Sequence, residues 1–161
     1  MASGASHFDL FNREVFKPQV AHDAHKRRLA RWSSDTVLTI WDRDSDGKFK
    51  KTTDWRVHGG PVQRIAWAHP KFGSLFAVST KYKVQIFAEL RRRSYAGELG
   101  ELGWYRKACI TDSEVDITDI AFAPRRLGLI LATLSVEGFV RIYENMDGID
   151  RSQWFLCYDD Q

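Results

Sequence analysis

Apolar and polar residues alternate one for one in short stretches along the chain, and the stretches recur in a fixed order. Val62-Gln63-Arg64-Ile65-Ala66-Trp67-Ala68-His69-Pro70 and Ile117-Thr118-Asp119-Ile120-Ala121-Phe122-Ala123-Pro124 both open on this alternation, the period of a half-buried strand. Each then meets a proline, which interrupts a hydrogen-bonded ladder and starts a loop. Each reaches a glycine, Gly73 or Gly128, and an apolar run follows, Leu75 to Val78 or Leu129 to Leu134. A last alternating strand closes on an aromatic, in Val84-Gln85-Ile86-Phe87 and in Val140-Arg141-Ile142-Tyr143. The first segment has the same ending: Leu29 to Trp32, a turn at Ser33-Ser34-Asp35-Thr36, then Val37-Leu38-Thr39-Ile40-Trp41-Asp42.

A repeat of this length is the mark of an array of four-stranded units. The interval from Phe87 to Tyr143 is clearly longer than that from Trp41 to Phe87 and than the ~40–45-residue period of propeller blades. The polar, glycine-spaced stretch Leu90 to Gly103 supplies the insertion, and its tandem Gly97-Glu98-Leu99-Gly100-Glu101-Leu102-Gly103 reads as a mobile surface loop. A fourth strand ends each unit, at Thr52–Val57, Trp104–Ile110 and Gln153–Tyr158. Asp46-Gly47 and Asp147-Gly148 are the turn signals before the first and last of these. The expectation is an all-β chain of about three four-stranded blades, at 17–57, 61–110 and 116–158. A flexible lead over 1–16 and a short tail over 159–161 complete the chain.

Composition agrees with a folded chain: 43% hydrophobic and 13% aromatic residues among 161. Lys and Arg number 24 against 21 Asp and Glu, too even a balance to point to nucleic acid, whose readers cluster charge on one face. Two cysteines, Cys109 and Cys157, are too few for a disulfide framework and fit a reduced compartment. With no signal-peptide pattern and no apolar run of membrane-spanning length, an intracellular, soluble chain is expected, touching membranes only through partners.

At these residues the chain resembles a known family. Trp41-Asp42 is similar to the dipeptide that names the WD repeat. Trp67-Ala68-His69-Pro70-Lys71-Phe72-Gly73 resembles the second blade of two sister propellers, the Sec-thirteen coat propeller of secretory vesicles and its homologue in the nuclear pore. The third blade, in Phe122-Ala123-Pro124-Arg125-Arg126-Leu127-Gly128-Leu129-Ile130-Leu131-Ala132-Thr133 and Gly138-Phe139-Val140-Arg141-Ile142-Tyr143-Glu144, looks like the nucleoporin. So do Ser152-Gln153-Trp154, Arg27-Arg28-Leu29-Ala30 and Ser33-Ser34-Asp35.

That resemblance implies a six-bladed open propeller in the Y-shaped outer ring of the nuclear pore. A helical-solenoid partner would complete it with a blade beside blade one, supporting transport of protein and mRNA. A coat-like nutrient-signalling complex at the lysosome or vacuole surface is implied as well, and a vesicle-coat propeller is the alternative. Partner-binding residues would be Val20, His22, Leu29, Val37 and Thr39. The chain departs from the family in having three blades, which leaves two blade faces open: Val20, Leu29, Val37 and Thr39 on blade one, and Ile120, Leu131 and Val140 on blade three. Either the chain is a fragment or partners cover those faces. The family's turn aspartate is matched by Asp35, but Lys81 and Tyr82 stand there in blade two and Glu137 in blade three. His22 and Ala24 sit where larger aromatics are usual.

Constellations that could carry chemistry point away from an enzyme, a cofactor or a metal. Asp42, Asp44, Asp46 and Gly47 match the opening of a calcium loop, but Thr53 stands where the bidentate glutamate is needed, so a hairpin turn is the better reading. His22 and His25 would point to opposite faces of a strand. No Gly-x-Ser-x-Gly elbow or phosphate-cradling loop is present. The basic runs at Lys26-Arg27-Arg28, Arg91-Arg92-Arg93 and Arg125-Arg126 read as solvated loop charge, with an acidic partner as the functional reading. Trp41 and Trp67 are expected in the core. Trp55, Trp104 and Trp154, on outer strands, are candidate contact anchors.

Overall fold

The computed structural model describes residues 19–32, 36–146 and 150–160. They form three four-stranded antiparallel sheets, each a meander of consecutive strands. Sheet 1 holds β1 (Gln19–His22), β2 (Arg28–Trp32), β3 (Val37–Arg43) and β4 (Phe49–Arg56). Sheet 2 holds β5 (Arg64–Trp67), β6 (Leu75–Ser79), β7 (Val84–Arg93) and β8 (Leu99–Ile110). Sheet 3 holds β9 (Ile117–Phe122), β10 (Ile130–Ser135), β11 (Val140–Glu144) and β12 (Phe155–Asp160). The first strands β1, β5 and β9 touch in succession, so the sheets stack face to face around a common inner edge. This is the arrangement of a partial, unclosed propeller. No described helix is long and apolar enough to cross a membrane.

Sheet 2 is covered on both sides, and its sequence shows why. All five residues of β6 are buried, as are the first five of β7, a near-continuous apolar run rather than an alternating one. One core, between sheets 1 and 2, joins Ala30, Trp32, Leu38 and Ile40 to Ile65, Phe76, Val78 and Phe87. The other, between sheets 2 and 3, joins Ala77, Val84 and Ile86 to Ile120, Leu131 and Tyr143. Fully buried side chains such as Leu38, Ile40, Phe76 and Leu131 each contribute roughly 1.5–3 kcal/mol of burial.

The repeat extends to backbone irregularities. In each sheet the third and fourth strands slip register just before the closing aromatic, between Ile40 and Trp41, Ile86 and Phe87, and Ile142 and Tyr143. The residues left unpaired on the outer strand are Thr52, Lys107 and Cys157, a β-bulge at one position three times over. The loops after β5 and β9 each hold a 3-10 turn, Pro70–Phe72 and Arg125–Leu127, closed by Gly73 at φ 85° and Gly128 at φ 100°. L side chains rarely adopt that backbone, which accounts for a glycine at both places.

Two expectations change here. The insertion at Leu90 to Gly103 is no loose loop: β7 and β8 run on past the sheet as a two-stranded ribbon, with Leu90 opposite Gly103 and Arg93 opposite Leu99. The turn at its tip is held by Ser94 and Glu98. Glycine spacing had masked the strand, but the ladder continues through the backbone. The tail expected from 159 is strand through Asp160, because Asp159 pairs with Arg141 and Asp160 with Val140; the Arg141 guanidinium lies 3.0 Å from the Asp159 carboxylate. The lead over 1–16, the turn at Ser33-Ser34-Asp35 and the Asp147-Gly148 tip lie outside the described residues.

Candidate interface on the first sheet

The cross-strand registers superpose the three sheets residue by residue. Val20 opposite Arg31 matches Ile65 opposite Val78 and Ile120 opposite Thr133. By the same count His22 matches Trp67 and Phe122, and Leu29 matches Phe76 and Leu131. Thr39 matches Gln85 and Arg141, and Trp41 matches Phe87 and Tyr143. In sheets 2 and 3 these positions face the preceding sheet and are largely buried there. Sheet 1 presents the same set on a face that no other sheet covers among the described residues.

Exposure follows from that placement. Val20 is 47% exposed where Ile65 is 8% and Ile120 6%. Leu29 and Trp41 are half-buried, whereas Phe76, Leu131, Phe87 and Tyr143 are buried. Val37, paired with Arg56, shares the face with Thr39, which is paired with Asp54, since residues directly opposite in an antiparallel pair lie on one side. The five residues expected to bind a partner, Val20, His22, Leu29, Val37 and Thr39, therefore lie together on one uncovered face. Two more join them. Trp41 donates its indole N–H to the Thr39 hydroxyl at 3.1 Å, and Phe49 lies 6.0 Å from the His22 ring. Trp41 had been expected in a core; the signal that it faces outward was its alignment with Phe87 and Tyr143, readable only once the stacking direction is known. His22 does stand where the other sheets carry an aromatic.

The opposite end of the stack differs from expectation. Ile120 and Leu131 are buried against sheet 2; alternation put them on one side of the sheet but did not say which side was covered. Val140 lies on the opposite face, which no sheet covers among the described residues, with Ala121, Ala132, Leu134 and Ile142, as their pairings require. Their equivalents in the other sheets, such as Ala30, Ala77, Leu38 and Val84, are wholly buried. Trp55 and Trp104 are likewise not exposed anchors. They close an aromatic cluster between sheets 1 and 2, with Phe76 4.9 Å from Trp104 and Phe87 5.3 Å from Trp55. Trp67, in the same cluster, donates its indole N–H to the Ala21 carbonyl at 3.0 Å, tying the inner strands together. Trp154 packs on Phe122 at 6.3 Å.

Charge is organised at these contacts. Arg28 bridges sheets 1 and 2: it pairs with Glu89, reaches Ser74 at 3.0 Å and lies 2.8 Å from Asp42. Burial pulls its guanidinium toward the neutral form, but the Glu89 hydrogen bond and the Glu89, Asp42 and Asp23 charges outweigh this and raise its pKa. Arg28 thus leaves the solvated basic run, and Arg27 and Lys26 remain exposed. Asp44 accepts the backbone N–H of Asp46 and Lys48 at 3.0 and 2.9 Å. Bonding to Lys50 and to those amides lowers its pKa, so this carboxylate serves the hairpin turn.

No family model matches the chain. Among curated proteins it is 37% identical to "Nucleoporin SEH1" of Danio rerio over 96% of its own length and 41% of that protein's. It is 42% identical to the protein of that name from Caenorhabditis elegans, over 87% and 39%, and 37% identical to that of Bos taurus, over 96% and 42%. The chain is homologous to the SEH1 nucleoporins. It spans about two fifths of the length of these SEH1 relatives. Its three open sheets are a partial WD-repeat propeller, and the likeness to SEH1 takes in all three.

Proposed function

We propose that this chain is a structural subunit of the nuclear pore's outer ring, a scaffold and not an enzyme. It holds a partner by accepting a blade, or blade-like strands, against the free face of sheet 1. The observation that carries this reading is the register equivalence of Leu29 and Trp41 with the buried Phe76 and Phe87. Sheet 1 bears, uncovered, the residue set that sheets 2 and 3 use to pack on a neighbour. The SEH1 homology supplies the setting, and a helical-solenoid nucleoporin is the proposed donor. The location that follows is the nuclear envelope, with membrane contact through partners.

Affinity capture under mild salt, with mass spectrometry of the associated chains, tests the proposal. Outer-ring nucleoporins should be recovered with the parent chain. Val37→Asp should lose them while soluble yield stays the same, because Val37 lies on the free face and a charge there costs little until a partner covers it. Vesicle-coat subunits in place of nucleoporins, or capture unaffected by Val37→Asp, would overturn it.

A further inference from the structure

We propose that the ribbon beyond sheet 2 is a second docking surface, which takes an amphipathic helix of a partner chain with an acidic flank beside its apolar stripe. Residues directly opposite in an antiparallel pair lie on one side, and Glu89 pairs with Trp104, Arg91 with Leu102 and Arg93 with Leu99. These six share the side that looks back toward sheet 1, away from sheet 3. There Glu89 meets Arg28, whose guanidinium lies 5.7 Å from the centre of the Trp104 ring. Sheet 1 covers this side only at its base. Its own ladder ends at Arg43 opposite Phe49, the pair that matches Glu89 opposite Trp104, and the chain turns back through Asp44 and Lys48. The ribbon runs on past that turn. Out there Leu99 is 64% exposed and Leu102 52%, two adjoining leucines on a projecting element, as at interaction sites. Arg91 and Arg93 are exposed beside them, and no carboxylate among the described residues pairs with either.

Charge and spacing select the occupant. The ribbon's own carboxylates lie off this side: Glu101 adjoins Leu102 on the strand and so points the other way, and Glu98 belongs to the tip turn with Ser94. Arg92 also turns away, its guanidinium 4.2 Å from the centre of the Tyr105 ring. Beyond Glu89 the surface is therefore cationic and apolar, and it calls for carboxylates. The arginines stand on one strand and the leucines on the other, so a charged row runs beside an apolar row at a separation of ~4.5–5.5 Å. Along its row Arg91 stands about 6–7 Å from Arg93. Glutamates four residues apart on a helix are about 6 Å apart, and apolar residues at i, i+3, i+4 and i+7 form the adjoining stripe that the leucines would meet. An extended strand would bind an edge rather than this face. An anionic membrane fits less well, because Glu98 and Glu101 would approach it together with the arginines.

The surface is separate from the face of sheet 1 that the proposed partner blade would cover, and it does not rest on the nuclear pore reading. The probe is a synthetic helical peptide of about 20 residues, with leucines along one stripe and glutamates along the adjoining flank. It carries a dye, and its fluorescence anisotropy is followed as the whole chain is added. Binding should weaken as salt rises. Arg93→Glu, at a side chain with no bond to other described residues, and Leu99→Asp should each weaken it roughly tenfold or more. Arg92→Gln, on the other side of the ribbon, and Val37→Asp, on sheet 1, should leave it unchanged. A peptide with lysines in place of the glutamates should not bind. Unchanged circular dichroism certifies folding, and Leu102→Asp replaces either ribbon variant that fails. A chain that binds neither peptide, equal binding of the two peptides, or binding that survives both Arg93→Glu and Leu99→Asp would overturn the proposal. So would cosedimentation with phosphatidylserine vesicles in place of peptide binding, which would assign the surface to lipid. Loss of peptide binding by Val37→Asp would move the site to sheet 1 and overturn it too.

Discussion

Leu29, Phe76 and Leu131 hold one repeat position in three settings, and truncating each to alanine measures what covers each sheet. Phe76 is wholly buried amid rings, 5.0 Å from Trp67, 4.9 Å from Trp104, 5.5 Å from Phe87 and 6.1 Å from Trp55. Phe→Ala at such a site costs about 3–5 kcal/mol, and aromatic pairs contribute ~0.5–1.5 kcal/mol beyond area, which puts Phe76 at the upper end. Leu131, also wholly buried but in a mostly aliphatic core opposite Tyr143, falls within the ~2–5 kcal/mol of buried Leu→Ala. Leu29 is half-buried on an uncovered face. It leaves no sealed cavity, so its loss costs about 1 kcal/mol or less. Against a total of ~5–15 kcal/mol, the first two shift a urea midpoint strongly and the third hardly at all. Unfolding followed by tryptophan fluorescence in dilute solution gives the three values. If Leu29→Ala costs as much as Leu131→Ala in dilute solution, the face of sheet 1 is not open and the register equivalence fails.

Gly73→Ala and Gly128→Ala should each cost about 1–3 kcal/mol through backbone strain, read as a lowered urea midpoint; a built Cβ meets nothing within 4 Å at either place, so a larger loss would mean that strain is not the cause. The Tyr143 hydroxyl is held in its neutral form, first by burial and then by the nearby Asp112 charge, which raises its pKa above the ordinary 10.0. The native state therefore keeps a proton that the unfolded chain releases as pH climbs past about 10, and stability falls over that alkaline range. Tyr143→Phe should flatten this decline while leaving the neutral-pH midpoint nearly unchanged, and an alkaline profile identical to the parent's would rule the argument out.

Much of this structure was legible because a strand's period is two and a blade repeats. The alternation around Ile65 and Ile120, the paired prolines and the glycines at 73 and 128 mark equivalent strands and turns without any tertiary information. Alternation says which residues share a face, and for that reason Val20, Leu29, Val37 and Thr39 were grouped correctly on one side. It does not say what lies opposite. Ile120 and Leu131 share a face too, but sheet 2 covers it, and only the direction of stacking distinguishes the two ends. Trp55 and Trp104 were misjudged for a related reason: an outer strand reads as exposed, yet the wide rings reach inward to Phe76 and Phe87. The ribbon beyond Leu90 was hidden because Gly100 and Gly103 have no side chains to alternate, although both lie in β8 and Gly103 pairs with Leu90, while Gly97 sits in the turn at the tip.

The bulges at Thr52, Lys107 and Cys157 change how the outer strands must be counted. Each takes one residue out of the ladder, so the odd–even frame that assigns inside and outside is reset at that point on β4, β8 and β12. Whoever scans these strands, or aligns them by length against another repeat, must switch frame at the bulge. The outer edge of each blade is thus offset by one residue at the same place, and the third strand beside it keeps its phase.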